Sequence, residues 1–146
     1  MTVAESSLAQ FQTDIDKWMA ENVPKNPGFL LPLTFLEVGT EQQLDFLRDW
    51  QHKLWQAGFL GMHWPTEYGG QGADPAYQGL VDKALTAHNA PIIFNTIGLN
   101  WTGPLLLDVG TEDDRQRYIK NILTGDDIWC QGFSEPDHGS DLGNVQ

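Results

Sequence analysis

The sequence predicts an all-α fold of about five to six helices, with a single strand near its end. Three observations carry that expectation. Apolar residues recur at helical spacing in segment after segment. Hydroxyl side chains able to cap a helix stand where several of those segments begin. Prolines and glycines separate the segments.

Thr2 and Glu5 have the spacing of a reciprocal cap, and Leu8, Phe11, Ile15, Trp18 and Met19 then follow on one helical face. This first helix closes near Asn22, ahead of Pro24 and Pro27. Residues 23–39, with Pro24, Pro27, Pro32 and two glycines, read as an irregular connection. Thr40 and Gln43 repeat the capping spacing. Leu44, Leu47, Trp50 and Leu54 form the next stripe, Phe46 and Trp55 widen it, and Gly58 suits the position just past the helix. That breadth predicts a mostly buried helix. Residues 58–75 hold five glycines and two prolines, which leaves no room for a regular element. Asp74 caps a third helix with Pro75 in its first turn. Tyr77, Leu80, Val81, Ala84 and Leu85 face the core, and the helix ends near His88 and Asn89. Ile92 to Leu99 is apolar at nearly every position and reads as a buried helix, with Asn95 and then Asn100 as the polar exceptions. Gly103 and Pro104 restart the chain into a short helix that stops at Gly110. Thr111 caps the last helix, whose first turn carries Glu112, Asp113 and Asp114, where the helix dipole favours acids. Tyr118, Ile119, Ile122 and Leu123 form its buried side and Gly125 ends it. Asp126 and Asp127 make a turn, Ile128 to Phe133 reads as a strand, and Ser134 to Asp141 is a turn-rich loop.

The 146 residues include 20 acids and 8 bases, a net charge of −12. That balance argues against a nucleic-acid binder, which needs a basic face, and against docking on an anionic membrane. Hydrophobic residues make up 40% of the chain and aromatics 11%, enough for a packed core and too much for a disordered chain. No apolar run approaches the roughly 18 residues of a spanning helix. The N-terminus lacks a basic leader, so a cytoplasmic protein is expected. The lone Cys130 rules out an internal disulfide and fits a reducing compartment; beside Trp129 and with no basic neighbour, it reads as an inert buried thiol. His138 with Asp137 and Asp141 does not make a calcium loop, because Gly139 falls at the third position and Leu142 at the sixth. His52, His63 and His88 show no ligand spacing, and no metal site is expected.

Trp129 to Asp141 is the segment best suited to chemistry. A loop with Ser134, Gly139 and Ser140 can turn backbone N–H groups and hydroxyls toward an anion, or can simply turn the chain. No lysine or arginine lies beyond Lys120, whereas five acids do. Any phosphate here must be held by backbone and hydroxyl donors, or by bases from another segment.

The run Trp129-Cys130-Gln131-Gly132-Phe133-Ser134-Glu135-Pro136, followed by Gly139-Ser140-Asp141, resembles the acyl-CoA dehydrogenase signature. Trp64-Pro65-Thr66-Glu67-Tyr68-Gly69-Gly70-Gln71-Gly72 is similar to that family's W-P-x-E-Y-G-G-x-G loop. Gly110-Thr111-Glu112, with Arg117-Tyr118 and Gly125, resembles a third family stretch, in the same order along the chain. Serine stands at 134 where the family usually has threonine, and Asp137-His138 replaces a small pair.

The resemblance implies an orthogonal helical bundle over residues 1–125, the family's N-terminal domain, and over 126–146 the start of a middle β-barrel. It implies FAD as cofactor, with Gln131, Phe133 and Ser134 beside the flavin ring and Gly139 and Ser140 facing the pyrophosphate and the CoA arm. The reaction implied is α,β-dehydrogenation of an acyl-CoA, with electrons passed to an electron-transfer flavoprotein and the carboxylate base supplied from outside this sequence. No catalytic residue is therefore assigned here, and Glu135 reads as a structural part of its motif. A homo- or hetero-tetramer is implied for the full-length protein. The other reading is a non-catalytic helical subunit that completes or regulates a dehydrogenase partner. Leu142 to Gln146 reads as a strand just beginning, which favours a truncated chain. The Trp64–Gly72 loop is expected to be structural rather than a lid, and Ile92 to Trp101 is equally a core segment or the wall of an acyl pocket.

Overall fold

The computed structural model describes residues 7–25, 27–136 and 139–140. Among them are five α-helices, α1 (Leu8–Asn22), α2 (Glu41–Gln56), α3 (Ala76–Ala87), α4 (Gly103–Val109) and α5 (Glu112–Thr124). The described residues contain no strand.

Local chemistry fixes most helix ends. Ser7 Oγ accepts the Gln10 N–H at 3.2 Å and starts α1; the Thr2–Glu5 pair lies outside the described residues. Thr40 Oγ1 accepts the Gln43 N–H at 3.2 Å, and Gln43 Oε1 accepts from Gly39 at 3.0 Å, one residue ahead of the usual partner. The Gln43 amide also donates to Leu30 O at 2.9 Å, which ties the 23–39 connection to α2. At the far end Gly58, at φ +81°, lets its own N–H reach Trp55 O and the Phe59 N–H reach Leu54 O, both at 2.9 Å. Asp74 Oδ1 accepts the Ala76 N–H at 2.8 Å, so the acid caps α3 across Pro75. Thr111 and Asp114 form the complete reciprocal cap of α5, and Gly125 closes that helix at φ +84°. Three of the eight bases serve backbone carbonyls where helices end: Lys53 on Asn22 O, Arg115 on Leu106 O and Arg48 on Gly125 O.

One core joins the helices. α1 contributes Phe11, Ile15 and Met19, α2 Trp50 and Leu54, α3 Tyr77, Val81 and Ala84, and α5 Ile119, Ile122 and Leu123. α1 packs on α3, and α5 on both α2 and α4. The 58–75 connection adds Phe59, Leu60, Met62, Trp64 and Tyr68 to that core and includes one 3₁₀ turn, Thr66–Tyr68. It is a structural loop: Trp64 is 2% exposed, and its carbonyl accepts the Gly72 N–H at 2.9 Å.

Four details differ from the sequence expectation. α2 buries one face only, and that face includes the polar Gln51, which is fully buried. The apolar run from Ile92 is not a helix until Thr96: residues 91–95 are irregular, and the chain then passes through a wide π turn, Gly98–Thr102, into α4 without a break. Pro104 has no N–H to give to Asn100 O, and its ring crowds that carbonyl; the wide turn, with Gly103 N–H on Gly98 O, absorbs both problems. Residues 128–135 take no regular form, because a strand exists only with a ladder partner and none is present among the described residues. Cys130 is exposed rather than buried for the same reason: among the described residues no second layer covers that segment.

Candidate functional site

The candidate residues follow α5. Gly125 reverses the chain, and the Asp127 N–H returns to Asn121 O at 3.2 Å while the Asn121 amide donates to Asp127 Oδ2 at 3.0 Å. Trp129 then packs edge-on against Tyr118, with ring centroids 5.4 Å apart. Past Trp129 the chain turns outward. Gln131, Phe133 and Ser134 are all exposed, and Phe133 keeps 72% of its surface. Among the described residues no backbone hydrogen bond engages Gln131 to Ser134. Open space surrounds Gly132, and Gly139 lies beside Ser134, where a Cβ would stand 3.3 Å from the hydroxyl. Ser134 and Gly139 are thus brought together, and Ser140 adjoins them in the chain. Asp137, His138 and Asp141 lie outside the described residues.

A groove of about 560 Å³ lies between Arg117, Tyr118 and Asn121 of α5 and the stretch Asp126–Trp129. Arg117 lies over the Tyr118 ring at 4.9 Å. A separate cleft of about 280 Å³ opens between the 58–64 loop, α3 and the π turn, lined by Leu60, Trp64, Gln78, Ile93 and Leu99 among others. In the Ile92–Trp101 stretch Phe94 and Asn95 are buried in the protein, while Ile93 and Leu99 line this cleft.

Sequence reasoning noted Asn95 only as a polar exception and did not single out Gln51. Asn95 and Gln51 are buried polar side chains whose hydrogen bonds converge on the end of α5. The available signal was a lone asparagine inside an apolar run.

The Trp64–Gly72 loop is tied to α5 by Tyr68, whose hydroxyl donates to Glu112 Oε2 at 2.7 Å. That bond, then burial, pushes Tyr68 ionisation up from 10.0 to about 12. Glu112 is held below 4.5 by the Gln116 amide and then the Tyr68 hydroxyl, and Asp114 below 3.8 by Thr111. The folded chain therefore binds the Tyr68 proton more tightly than the unfolded chain. The stability this confers is complete below pH 10 and is lost as pH rises toward about 12. The two carboxylates contribute stability that is complete above their ordinary values and is lost as pH falls below them. Urea midpoints measured against pH should fall on both sides, and Tyr68→Phe should reduce the alkaline fall and shrink the acid one. An alkaline fall unchanged by the substitution would refute the assignment.

Five helices joined by a Gly-rich structural loop, with an exposed segment after the last of them, define an all-helical domain. Residues 32–126 match the family model "Acyl-CoA dehydrogenase, N-terminal domain". The chain belongs to the acyl-CoA dehydrogenase family. It is 34% identical over 139 residues to acyl-CoA dehydrogenase IpdE1 of Mycolicibacterium smegmatis, a match that covers 94% of this chain and 35% of the relative. Over 96 residues it is 40% identical to acyl-CoA dehydrogenase FadE34 of Mycobacterium tuberculosis, covering 66% of this chain and 13% of the relative. Its fold is similar to that of the solved Tcur3481-Tcur3483 steroid ACAD, with a TM-score of 0.67, 28% identity, and 94% of this chain against 34% of that one. The ChsE4-ChsE5 complex of Mycobacterium tuberculosis shares the fold at a TM-score of 0.68 and 21% identity, with 100% of this chain and 35% of that one covered. The chain thus spans about a third of the length of IpdE1 and of both solved relatives. None of the described helices is long and apolar enough to cross a membrane.

Proposed function

We propose that residues 1–125 are the N-terminal helical domain, and residues 126–146 the start of the middle β-domain, of an FAD-dependent acyl-CoA dehydrogenase. Its reaction introduces a double bond between Cα and Cβ of an acyl-CoA thioester, and the electrons pass to an electron-transfer flavoprotein. The observation that carries this reading is the family match over residues 32–126, followed at once in the chain by the motif from Trp129 to Asp141.

The donor set fits a flavin. An exposed run of backbone N–H groups from Gln131 to Ser134 is free of internal partners among the described residues, and the Ser134 hydroxyl stands beside a glycine that leaves it uncovered. When bound, FAD supplies the acceptor for the hydride that leaves Cβ. In this chain Phe133 would offer backbone atoms, and Ser134 a backbone amide and a hydroxyl, to the edge of the ring, with Gln131 alongside. Gly139 and Ser140 would face the pyrophosphate and the CoA arm. The base that removes the α proton comes from outside this sequence. So do the positive charges beside the phosphates, since no lysine or arginine lies beyond Lys120 in this sequence.

A second reading, a helical subunit that completes a partner dehydrogenase, draws support from the solved relatives, two of which pair different gene products by name. The first reading makes the full-length protein a homo- or hetero-tetramer, and both readings predict that this chain does not work alone. Purified chain mixed with FAD, an acyl-CoA and an artificial electron acceptor should show no turnover, and FAD should separate from it on gel filtration. Turnover, or a yellow protein peak, would overturn this.

A further inference from the structure

We propose that Asn95 is a positioning residue for the Gln131–Ser134 segment: it clamps the point at which the chain leaves the helical core and so sets the direction in which that segment departs. What the segment faces rests on the reading above; the clamp does not. Asn95 is 1% exposed, and its side-chain amide holds three separate backbone groups. Nδ2 donates to Ile122 O in the last turn of α5 at 3.1 Å and to Asp127 O at 2.9 Å, and Oδ1 accepts the Trp129 N–H at 3.2 Å. A single planar group thus fixes the end of α5 and both sides of residue 128.

A second buried amide braces the first. Gln51 Oε1 accepts the Asn95 N–H at 3.4 Å, and Gln51 Nε2 donates to Ile122 O and Leu123 O at 2.9 and 3.0 Å. Gly98 supplies an independent sign of fit: a Cβ there would lie 2.6 Å from Asn95 Oδ1 and 2.8 Å from Nδ2. The first turn after Asn95 is hollowed to admit its side chain. Beyond Trp129 no backbone hydrogen bond anchors the chain as far as Ser134 among the described residues, so the clamp is the last fixed point before it. Ser134 is five residues further on, roughly 17 Å of extended chain, and a small change of direction at Trp129 is magnified over that length.

The test is amide-resolved hydrogen exchange on the 146-residue chain, comparing Asn95→Ala and Gly98→Ala with the parent. Asn95→Ala removes the clamp. Gly98→Ala retains every clamping group in the chain but pushes the Asn95 amide out of position, while alanine, the better helix former, supports the helix itself. Both variants should speed exchange of the Trp129 N–H by about tenfold or more, with core amides such as those of Ile15, Leu54 and Val81 changed by less than about twofold. An even rise across the core, or an unchanged Trp129 N–H, would overturn the proposal. In the flavin-loaded protein that contains this chain, the same variants should shift the flavin's visible band and lower kcat more than they raise KM. Release of Trp129 with an unaltered band and kcat would also overturn the positioning role. Absence of flavin from the parent protein would instead count against the flavin reading, and the exchange result would still decide the clamp.

Discussion

Replacing Gly70 with alanine is expected to destabilise the chain by about 3 kcal/mol, whereas the same replacement at Gly79 is expected to stabilise it by up to about 1 kcal/mol. The chemistry of the two changes is identical; the surroundings are opposite. A Cβ at Gly70 would stand 2.3 Å from Trp64 O and 2.6 Å from Trp64 Cβ. Neither neighbour can yield. Trp64 O accepts the Gly72 N–H, and the far tip of the Trp64 ring already lies against Gly103, where a Cβ would be 2.2 Å away. The tryptophan is therefore held between two glycines distant in sequence, and any methyl group at Gly70 pushes the whole loop off α4. Gly79 lies on the exposed side of α3 with nothing within 4 Å of its would-be Cβ, so alanine there only reduces the freedom of the unfolded chain. Thermal unfolding should show a fall of roughly 10 °C for Gly70→Ala and a small rise for Gly79→Ala. Equal effects at the two sites would contradict the packing described.

Trp50→Ala should cost about 3–5 kcal/mol, and Trp50→Phe about 2 kcal/mol. Trp50 is 2% exposed on the buried face of α2 and stacks on Trp18 with ring centroids 5.9 Å apart. Its indole N–H donates to Pro91 O at 3.0 Å. Alanine removes the ring and leaves a cavity against α1. Phenylalanine keeps much of the packing but strands the Pro91 carbonyl in a buried setting. That carbonyl begins the irregular stretch leading to Asn95, so the phenylalanine variant should also loosen residues 91–95 while α1 and α3 stay protected. Denaturant unfolding combined with hydrogen exchange separates these effects. A phenylalanine variant as stable as the parent would show that the Pro91 bond contributes nothing.

Periodicity and capping chemistry made α2, α3, α5 and the end of α1 readable, because each of those helices buries one stripe and begins at a side chain that bonds its own backbone. Thr40, Asp74 and Thr111 all cap where the sequence placed them. The stretch from Ile92 was misread because an apolar run carries no period. Its form is decided by Pro91 and Asn95 bonding to distant segments, and no local signal encodes those contacts. Cys130 illustrates the same limit. A strand-like pattern predicts burial only if a second layer covers it, and burial belongs to the partner rather than to the pattern. The candidate site residues Gln131, Phe133, Ser134, Gly139 and Ser140 were legible through family resemblance alone. The exposure of Gln131, Phe133 and Ser134, with no backbone hydrogen bond among the described residues, became visible only with the fold. Asn95, which holds that run in place, left no trace in composition or spacing beyond being polar among Ile93, Phe94 and Ile97.

The most direct measurement is an anaerobic titration with an acyl-CoA of the protein that contains this chain, followed by the visible absorption of its flavin. The flavin should bleach in proportion to the acyl-CoA added, and recover when an electron-transfer flavoprotein or artificial acceptor is supplied. A protein that carries no flavin, or one whose flavin stays oxidised under excess acyl-CoA, would contradict an acyl-CoA dehydrogenase built on this helical domain.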